Sequence, residues 1–176
     1  MILRSDGEMM YVVFDNTYSI GAFCIHSDML KTNCTDQLLE WPDRTVDDLD
    51  SQFEGIAYNS FDDTYFIVQE AIPMLNEKKK YQPNIFEIRL GKNSFNPKIE
   101  IVESCRVNMI FQSDSKGFEG LEFVHSQTTG KTYLFGLCEA NKCASSIPNK
   151  KSDIDIGHGR IVILEKQEAT SKSLFN

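Results

Sequence analysis

Two glutamates in this chain of 176 residues stand in near-identical surroundings. Glu54 lies within SQFEGIAYN and Glu119 lies within KGFEGLEFV, so the triplet Phe-Glu-Gly is written twice, each time ahead of an apolar run. A carboxylate can bind a hard cation, activate water or accept backbone hydrogen bonds. The repetition indicates that the fold needs this acid at the same place in two copies of one unit.

A second acid closes the next apolar run of each copy. Glu70 ends the run in DTYFIVQEA, Glu139 ends the run in TYLFGLCEA, and Asp15 takes the same place in EMMYVVFDN. If the two runs are neighbouring antiparallel strands, the start of the first and the end of the second meet at one rim. Like charges held close there favour a cation such as Ca²⁺, which takes about 6–8 oxygen ligands. The candidate calcium ligands are Asp15, Glu54, Glu70, Glu119 and Glu139.

A structural role is the alternative for the first acid of each pair. Glu54 and Glu119 would then accept hydrogen bonds from backbone N–H groups of the next unit and hold no ion. The glycine after each glutamate removes a Cβ where the backbone crowds or turns sharply. The preceding Phe53 and Phe118 are expected to wedge between units.

The elements that must position these acids read as strands. The apolar runs are short, rich in β-branched and aromatic residues, and bounded by Gly, Pro, Asn, Asp and Lys. No segment shows a sustained helical period, and TDQLLEWP, which Pro42 would end, is the best short helical candidate. The pattern predicts strands near 9–15, 18–25, 54–59, 63–69, 84–90, 98–103, 120–125, 132–138 and 159–165.

Three copies of a four-stranded antiparallel unit are typical of β-propeller blades. We therefore expect an all-β chain in which residues 1–176 form one partial propeller. The blades would be 1–50, cut inside its first strand, 51–115, and 116–176, which lacks a clear last strand. Propellers usually close with roughly 4–8 blades, so three blades need either the rest of a longer chain or a homodimer that makes a ring of about six. An unrelated β-sandwich is the alternative.

Charge and hydropathy exclude some partners. The formal net charge is −8, and such a surface repels phosphate backbones, so we expect no nucleic-acid partner. No apolar run approaches the length of about 18 residues that a membrane-spanning helix needs. The start, MILRSDGEMM, lacks the basic and apolar regions of a signal peptide.

Two connections that leave the acid rim, 71–83 and 140–158, are much longer than ordinary hairpin loops of about 2–5 residues. Long loops usually have a function, and these carry lysines that, with a cation, could hold an anionic ligand such as a phosphoester, or else contact a protein partner. The alternative is a solvated loop kept soluble by its charge. The candidate anion-binding residues are Lys78, Lys79, Lys80, Lys150 and Lys151.

The cysteines number five, at 24, 34, 105, 138 and 143. Cys143 follows Cys138 by five residues, and a tight turn would bring their Cα atoms within the roughly 4.4–6.8 Å that a disulfide requires. Such a bridge would fix the loop beside Glu139, and two free thiols in a reducing compartment are the alternative. The sequence assigns no pairing to the other three.

The segment LCEANKC, together with the two Phe-Glu-Gly units, resembles the SdiA-regulated and esterase-like phytase group of β-propellers over residues 1–166. In that group the matching segment reads Leu-Cys-Glu-Gly-Asn-x-Cys, and here Ala140 replaces the glycine. The resemblance implies a six-bladed ring, an exported or cell-surface location and, in some relatives, calcium. The acidic motifs of alkaline propeller phytases and the Gly-x-Ser-x-Gly elbow of serine esterases are not in the sequence, so no catalytic residue is assigned.

These observations together predict a calcium-binding module of an exported phytase-like protein, with an unknown ligand. Two alternatives remain open at this point. One is a metal-dependent phosphoester hydrolase, in which a carboxylate activates water beside the ion. The other is a structural or assembly protein that pairs through the edges of its blades.

Overall fold

The computed structural model describes residues 1–3, 7–25, 35–42, 50–75, 77–91, 98–111, 116–139, 160–167 and 174–175. Every regular element within these ranges is a β-strand, and the strands belong to three sheets. The all-β class is therefore confirmed. No helix in the described ranges is long and apolar enough to cross a membrane.

Sheet one contains four strands, each paired antiparallel with the next. Its last strand occupies the segment that gave the best short helical candidate, and there Leu39 is buried whereas Leu38 is 57% exposed. This in–out alternation belongs to a strand, so the helical candidate is wrong. The strands are β1 (Ile2–Leu3), β2 (Met9–Phe14), β3 (Thr17–Cys24) and β4 (Gln37–Glu40).

Sheet two contains β5 (Phe53–Asn59), β6 (Thr64–Pro73), β7 (Tyr81–Leu90) and β8 (Ile99–Val107), paired antiparallel in that order. Sheet three contains β9 (Phe118–His125), β10 (Thr132–Cys138) and β11 (Arg160–Leu164), also antiparallel. These bounds agree with the predicted strands to within a few residues, but β6 and β7 extend into the predicted loop 71–83, so their connection is shorter and spans only 74–80. None of the sheets closes on itself among the described strands.

The chain then returns from sheet three to sheet two. Strands β12 (Lys166–Gln167) and β13 (Leu174–Phe175) pair with each other, and β13 pairs with β8, the only parallel pair among the described strands. Nζ of Lys166 lies 3.1 Å from Oε2 of Glu87 and 2.5 Å from Oε2 of Glu103. The sequence predicted no clear last strand after β11, and the short strands β12 and β13, which pair with sheet two, were not predicted.

The sheets pack face against face in series, with a hydrophobic core at each junction. Between sheets one and two, the core includes Tyr11, Ile20 and Leu39 on one side and Ile56 and Ile67 on the other. Between sheets two and three, it includes Val68, Ile85, Phe118, Leu134 and Leu164. Sheet two is therefore covered on both faces, whereas the described residues cover only one face of sheet one and one face of sheet three.

Both phenylalanines of the repeated triplet lie inside these junctions, as the sequence predicted. Phe53 is 2% exposed, and its ring centroid lies 4.9 Å from that of Trp41 in the chain that follows β4. Phe118 is fully buried and meets Phe111 edge-to-face at 6.1 Å. Each therefore anchors the first strand of its own sheet against the preceding sheet.

The first glycine of the repeat allows two strands to touch backbone to backbone. A Cβ on Gly55 would lie 2.8 Å from the Cα of Gly120 and 2.8 Å from the backbone N of Leu121. Such a distance is shorter than van der Waals contact, so β5 can approach β9 this closely only because residue 55 has no side chain. The prediction that this glycine relieves crowding is confirmed.

Candidate functional site

The acidic rim is the edge of the molecule where Asp15, Glu54, Glu70, Glu119 and Glu139 lie. On the side of sheets one and two, backbone hydrogen bonds connect the strand ends that carry these acids. The N–H of Gln52 donates to the carbonyl of Asp15 at 2.7 Å, and the N–H of Glu70 donates to the carbonyl of Gln52 at 2.7 Å. Gln52 has φ +53°, a left-handed conformation that is uncommon outside glycine. Its two hydrogen bonds hold Asp15 and Glu70 at the same rim although they come from different sheets.

Ser51 reinforces this junction. Its Oγ donates to the carbonyls of Phe14 and Asp15, at 2.7 and 2.8 Å, and its own carbonyl accepts from Nε2 of Gln69 at 2.9 Å. The end of β2, the start of β5 and the point in β6 where its pairing with β5 stops are thus joined by hydrogen bonds. A buried hydrogen-bond network whose members all have partners holds the attached strand segments, and the acids on them, in one geometry.

Sheet three repeats the arrangement. The N–H of Glu139 donates to the carbonyl of Gly117 at 3.0 Å, as Glu70 does to Gln52 in sheet two. The end of β10 therefore lies beside the start of β9, where Glu119 stands. The two acids of each pair meet at one rim, which is the relation that the repeat predicted.

The carboxyl groups form two pairs. Glu54 shares a hydrogen bond with Asp15, so this pair joins sheet two to sheet one. Burial raises the pKa of Glu54 above its usual value, and the charge of Asp15 and the hydrogen bond to it raise it further.

The second pair lies within sheet three and includes a cation. Burial raises the pKa of Glu119 to about 7, and the hydrogen bond and charge of Glu139 add to the rise. That hydrogen bond, followed by the contact with Lys116, lowers the pKa of Glu139. Nζ of Lys116 lies 3.0 Å from Oε1 of Glu139. Glu139 is therefore the charged member of the pair, and Glu119 holds the proton.

Glu70 stands between the two pairs. It is 8% exposed, and no hydrogen-bond or ion-pair partner for its carboxyl group is present among the described residues. Burial, followed by the charges of Glu54, Glu139 and Asp15, raises its pKa to about 7, against a smaller opposing effect of Lys116. A buried acid with no partner and acidic neighbours favours either a proton or a cation at this position.

The donor set suits a hard cation, since it consists of carboxylate oxygens. As the side chains stand, however, no three His, Cys, Asp or Glu residues in the described part of the chain have the geometry of a metal site. The acids form proton-sharing pairs instead. A cation at the rim would therefore have to replace those protons and draw the carboxylates together.

The structure describes only some of the lysines proposed for anion binding. Lys80 forms an ion pair with Glu77 in its own turn. Lys79 lies in the same turn and has a left-handed backbone conformation, with φ +58°. Lys78 lies in the same turn, and no described contact joins it to the rim. Lys150 and Lys151 lie outside the described residues. The cation that does reach the rim is Lys116, which the sequence reasoning missed although it stands where Ser51 does in the other copy.

Cys105 is buried and forms no disulfide. Cys138 is 1% exposed, and Cys143 lies outside the described residues. The bridge between Cys138 and Cys143 stays a prediction.

The geometry of the rim is thus defined by three sheets, two carboxyl pairs and one isolated glutamate. No protein-family model matches the chain, and neither a curated protein nor a solved structure matches it. The chemistry of the acidic rim is that of its carboxyl groups.

Proposed function

We propose that this chain is a calcium-binding module made of propeller blades, in which the acidic rim holds the ion and the long loops that leave it contact a ligand. The observation that carries the proposal is Glu70, a residue that is 8% exposed and whose carboxyl group has no partner among the described residues. Four further acids from three sheets lie around it. A cation would relieve the repulsion that now raises its pKa to about 7.

The protons of the rim are the groups that an ion would displace. Glu54 and Glu119 each share a hydrogen bond with a second carboxylate, and both pairs would become ligands once deprotonated. Lys116 neutralises part of the charge on Glu139, so we expect Glu70, Glu54 and Asp15 to supply most of the binding. Because metal binding releases protons, affinity would rise with pH.

The propeller reading rests on several observations that point the same way. The Phe-Glu-Gly unit occupies the same place in sheets two and three, each sheet packs face-on against the next, and two first strands touch through Gly55. The resemblance of LCEANKC to the SdiA-regulated and esterase-like phytase group favours a six-bladed ring in an exported or cell-surface protein.

Calcium should raise the melting temperature, because a ligand that binds only the folded state stabilises it by mass action. The stabilisation would be about 2.7 kcal/mol at a concentration 100 times the dissociation constant. The measurement is thermal unfolding in chelator and in increasing CaCl₂, at constant ionic strength. Glu70→Gln keeps the side-chain size and should remove most of the shift. Glu100→Gln, at a side chain 69% exposed and outside the rim, is the matched control and should keep it. A wild-type melting temperature that ignores calcium would contradict the proposal.

A metal-dependent phosphoester hydrolase is the second candidate. It is favoured by the pKa values of Glu70 and Glu119, both about 7, since a general acid or base works best with a pKa near the operating pH. Lys116 would then help to hold the anionic substrate. Calcium-dependent hydrolysis of p-nitrophenyl phosphate or an inositol phosphate, lost in Glu70→Gln and retained in Glu100→Gln, would select this candidate. Calcium binding without hydrolysis would select the binding module.

A further inference from the structure

Sheets two and three offer an internal comparison between a covered face and an uncovered one. In sheet two, Val68 pairs with Gly55 on one side and with Ile85 on the other. In sheet three, Leu137 pairs in the same way with Gly120 and Ile161. The back face of each sheet is the face that carries these residues.

Both back faces carry apolar side chains, although that of sheet three also carries Glu122 opposite Phe135, and the two faces differ sharply in exposure. Val68 and Ile85 are 0% and 1% exposed because sheet three lies on them. Leu137 and Ile161 are 51% and 66% exposed, and Ile163 beside them is 58% exposed. Exposed apolar side chains that form one contiguous patch mark a surface that binds something.

The surroundings of Gly55 and Gly120 indicate what can bind to the back face of sheet three. A Cβ on Gly55 would meet the backbone of β9, whereas a Cβ on Gly120 would meet only the Cβ of Leu137, at 3.9 Å, within the described structure. Gly120 therefore leaves room for the close approach of a strand that Gly55 already receives. The missing occupant is a β-sheet whose strand can lie against Gly120, rather than a helix or a flat ligand.

Sheet one carries a matching uncovered surface, which we call its front face. Register places Leu3 beside Met10, and places Val12 and Leu38 on either side of Gly21. Leu3 and Leu38 are 49% and 57% exposed. The corresponding face of sheet two carries Tyr65 and Ile67. These side chains are 2% and 0% exposed because sheet one covers them.

We propose that the back face of sheet three binds the front face of sheet one in a second copy of this chain. The contact would repeat, for a third time, the back-on-front packing that already joins sheet one to sheet two and sheet two to sheet three. Two such contacts related by a twofold axis would close six sheets into a ring. The apolar faces that are exposed in a single copy would then be buried. The proposal does not depend on calcium or on any activity of the rim.

Sedimentation velocity on the wild-type chain at micromolar concentration should show a dimer of about 40 kDa, twice the 20.1 kDa of one copy. Ile161→Glu on the back face and Leu38→Glu on the front face should each raise the dissociation constant by about 30-fold or more, as for a central interface residue. Leu75→Glu is the matched control, since Leu75 is 90% exposed and lies on the connection between β6 and β7. It should leave the dimer intact.

Mixing the two interface variants distinguishes this contact from any other. Each variant alone has one defective face, so neither can pair with itself. An equimolar mixture offers one intact back face and one intact front face, and it should regain dimers. A monomeric wild type, a dimer that survives Ile161→Glu, or a mixture that stays monomeric would overturn the proposal. Circular dichroism of each variant shows that the strands are retained.

Discussion

Replacing Gly55 with alanine should lower the free energy of unfolding by about 3 kcal/mol, the upper part of the usual range for overpacking. The added Cβ would lie 2.8 Å from the backbone of β9. A flexible side chain could move away from such a contact, but backbone within a paired strand cannot move without breaking its ladder. Sheets two and three must therefore separate, which loosens the core around Phe118. Urea denaturation followed by circular dichroism measures the change, and a melting temperature lower by roughly 10 °C is expected in parallel.

Gly120→Ala is the control for this experiment, because it makes the same chemical change at the equivalent position of the repeat. Its Cβ would meet only Leu137, at 3.9 Å, so the stability of a single copy should change by less than about 0.5 kcal/mol. Both alanine variants are best made in the Ile161→Glu background, which keeps the chain monomeric. Equal losses of stability in the two variants would show that the close approach of β5 and β9 is not what requires Gly55.

Glu70→Gln should make the protein more stable than the wild type at pH 8 in the presence of chelator, by about 2 kcal/mol. Burial and neighbouring acids raise the pKa of Glu70 from 4.5 to about 7 in the folded state. The contribution of Glu70 to stability is therefore fully present below about pH 4.5 and is lost as pH rises through about 7. The full shift would correspond to a larger energy, and we reduce it because water at the rim screens the repulsion.

The pH profile is the informative measurement. The difference in unfolding free energy between Glu70→Gln and the wild type should be small at pH 5 and grow between pH 5 and 8, because glutamine carries no charge at any pH. Glu119 also has a pKa of about 7, but it is more accessible to water than Glu70, so its effect should be weaker. Glu100→Gln should follow the wild-type profile. A Glu70→Gln variant that is less stable than the wild type at pH 8 would mean that the carboxylate has a stabilising partner.

Much of the fold follows from the repeat in the sequence. The Phe-Glu-Gly triplets and the apolar runs predicted strands β2, β3 and β5 to β11, the buried Phe53 and Phe118, and the crowding at Gly55. Each of these features depends on local chemistry that is written twice. The contact between Glu70 and Gln52 at one rim also follows from the sequence, because neighbouring antiparallel strands bring their opposite ends together.

The rest depends on contacts between distant residues. Strand β4 is only four residues long, too short for its alternation to be distinguished from a helical turn. The pairing of β13 with β8 joins segments far apart in a polar tail that has no strand pattern. The pairing of the acids into Asp15–Glu54 and Glu119–Glu139, and the contact of Lys116 with Glu139, depend on side-chain directions that periodicity does not specify.

The late strand pair β12 and β13 also has a consequence for synthesis on the ribosome. Strand β8 ends at Val107 and its partner β13 begins at Leu174, so 67 residues (174 minus 107) are added from the end of β8 to the first residue of β13. At about 5–20 residues per second, the outer edge of sheet two stays open for roughly 3–13 s. During that interval Glu100 and Glu103 on β8 present charge that disfavours pairing with other nascent chains. When Lys166 arrives, it binds Glu103, so a charge that keeps foreign strands away becomes an attachment point for the native strand pair.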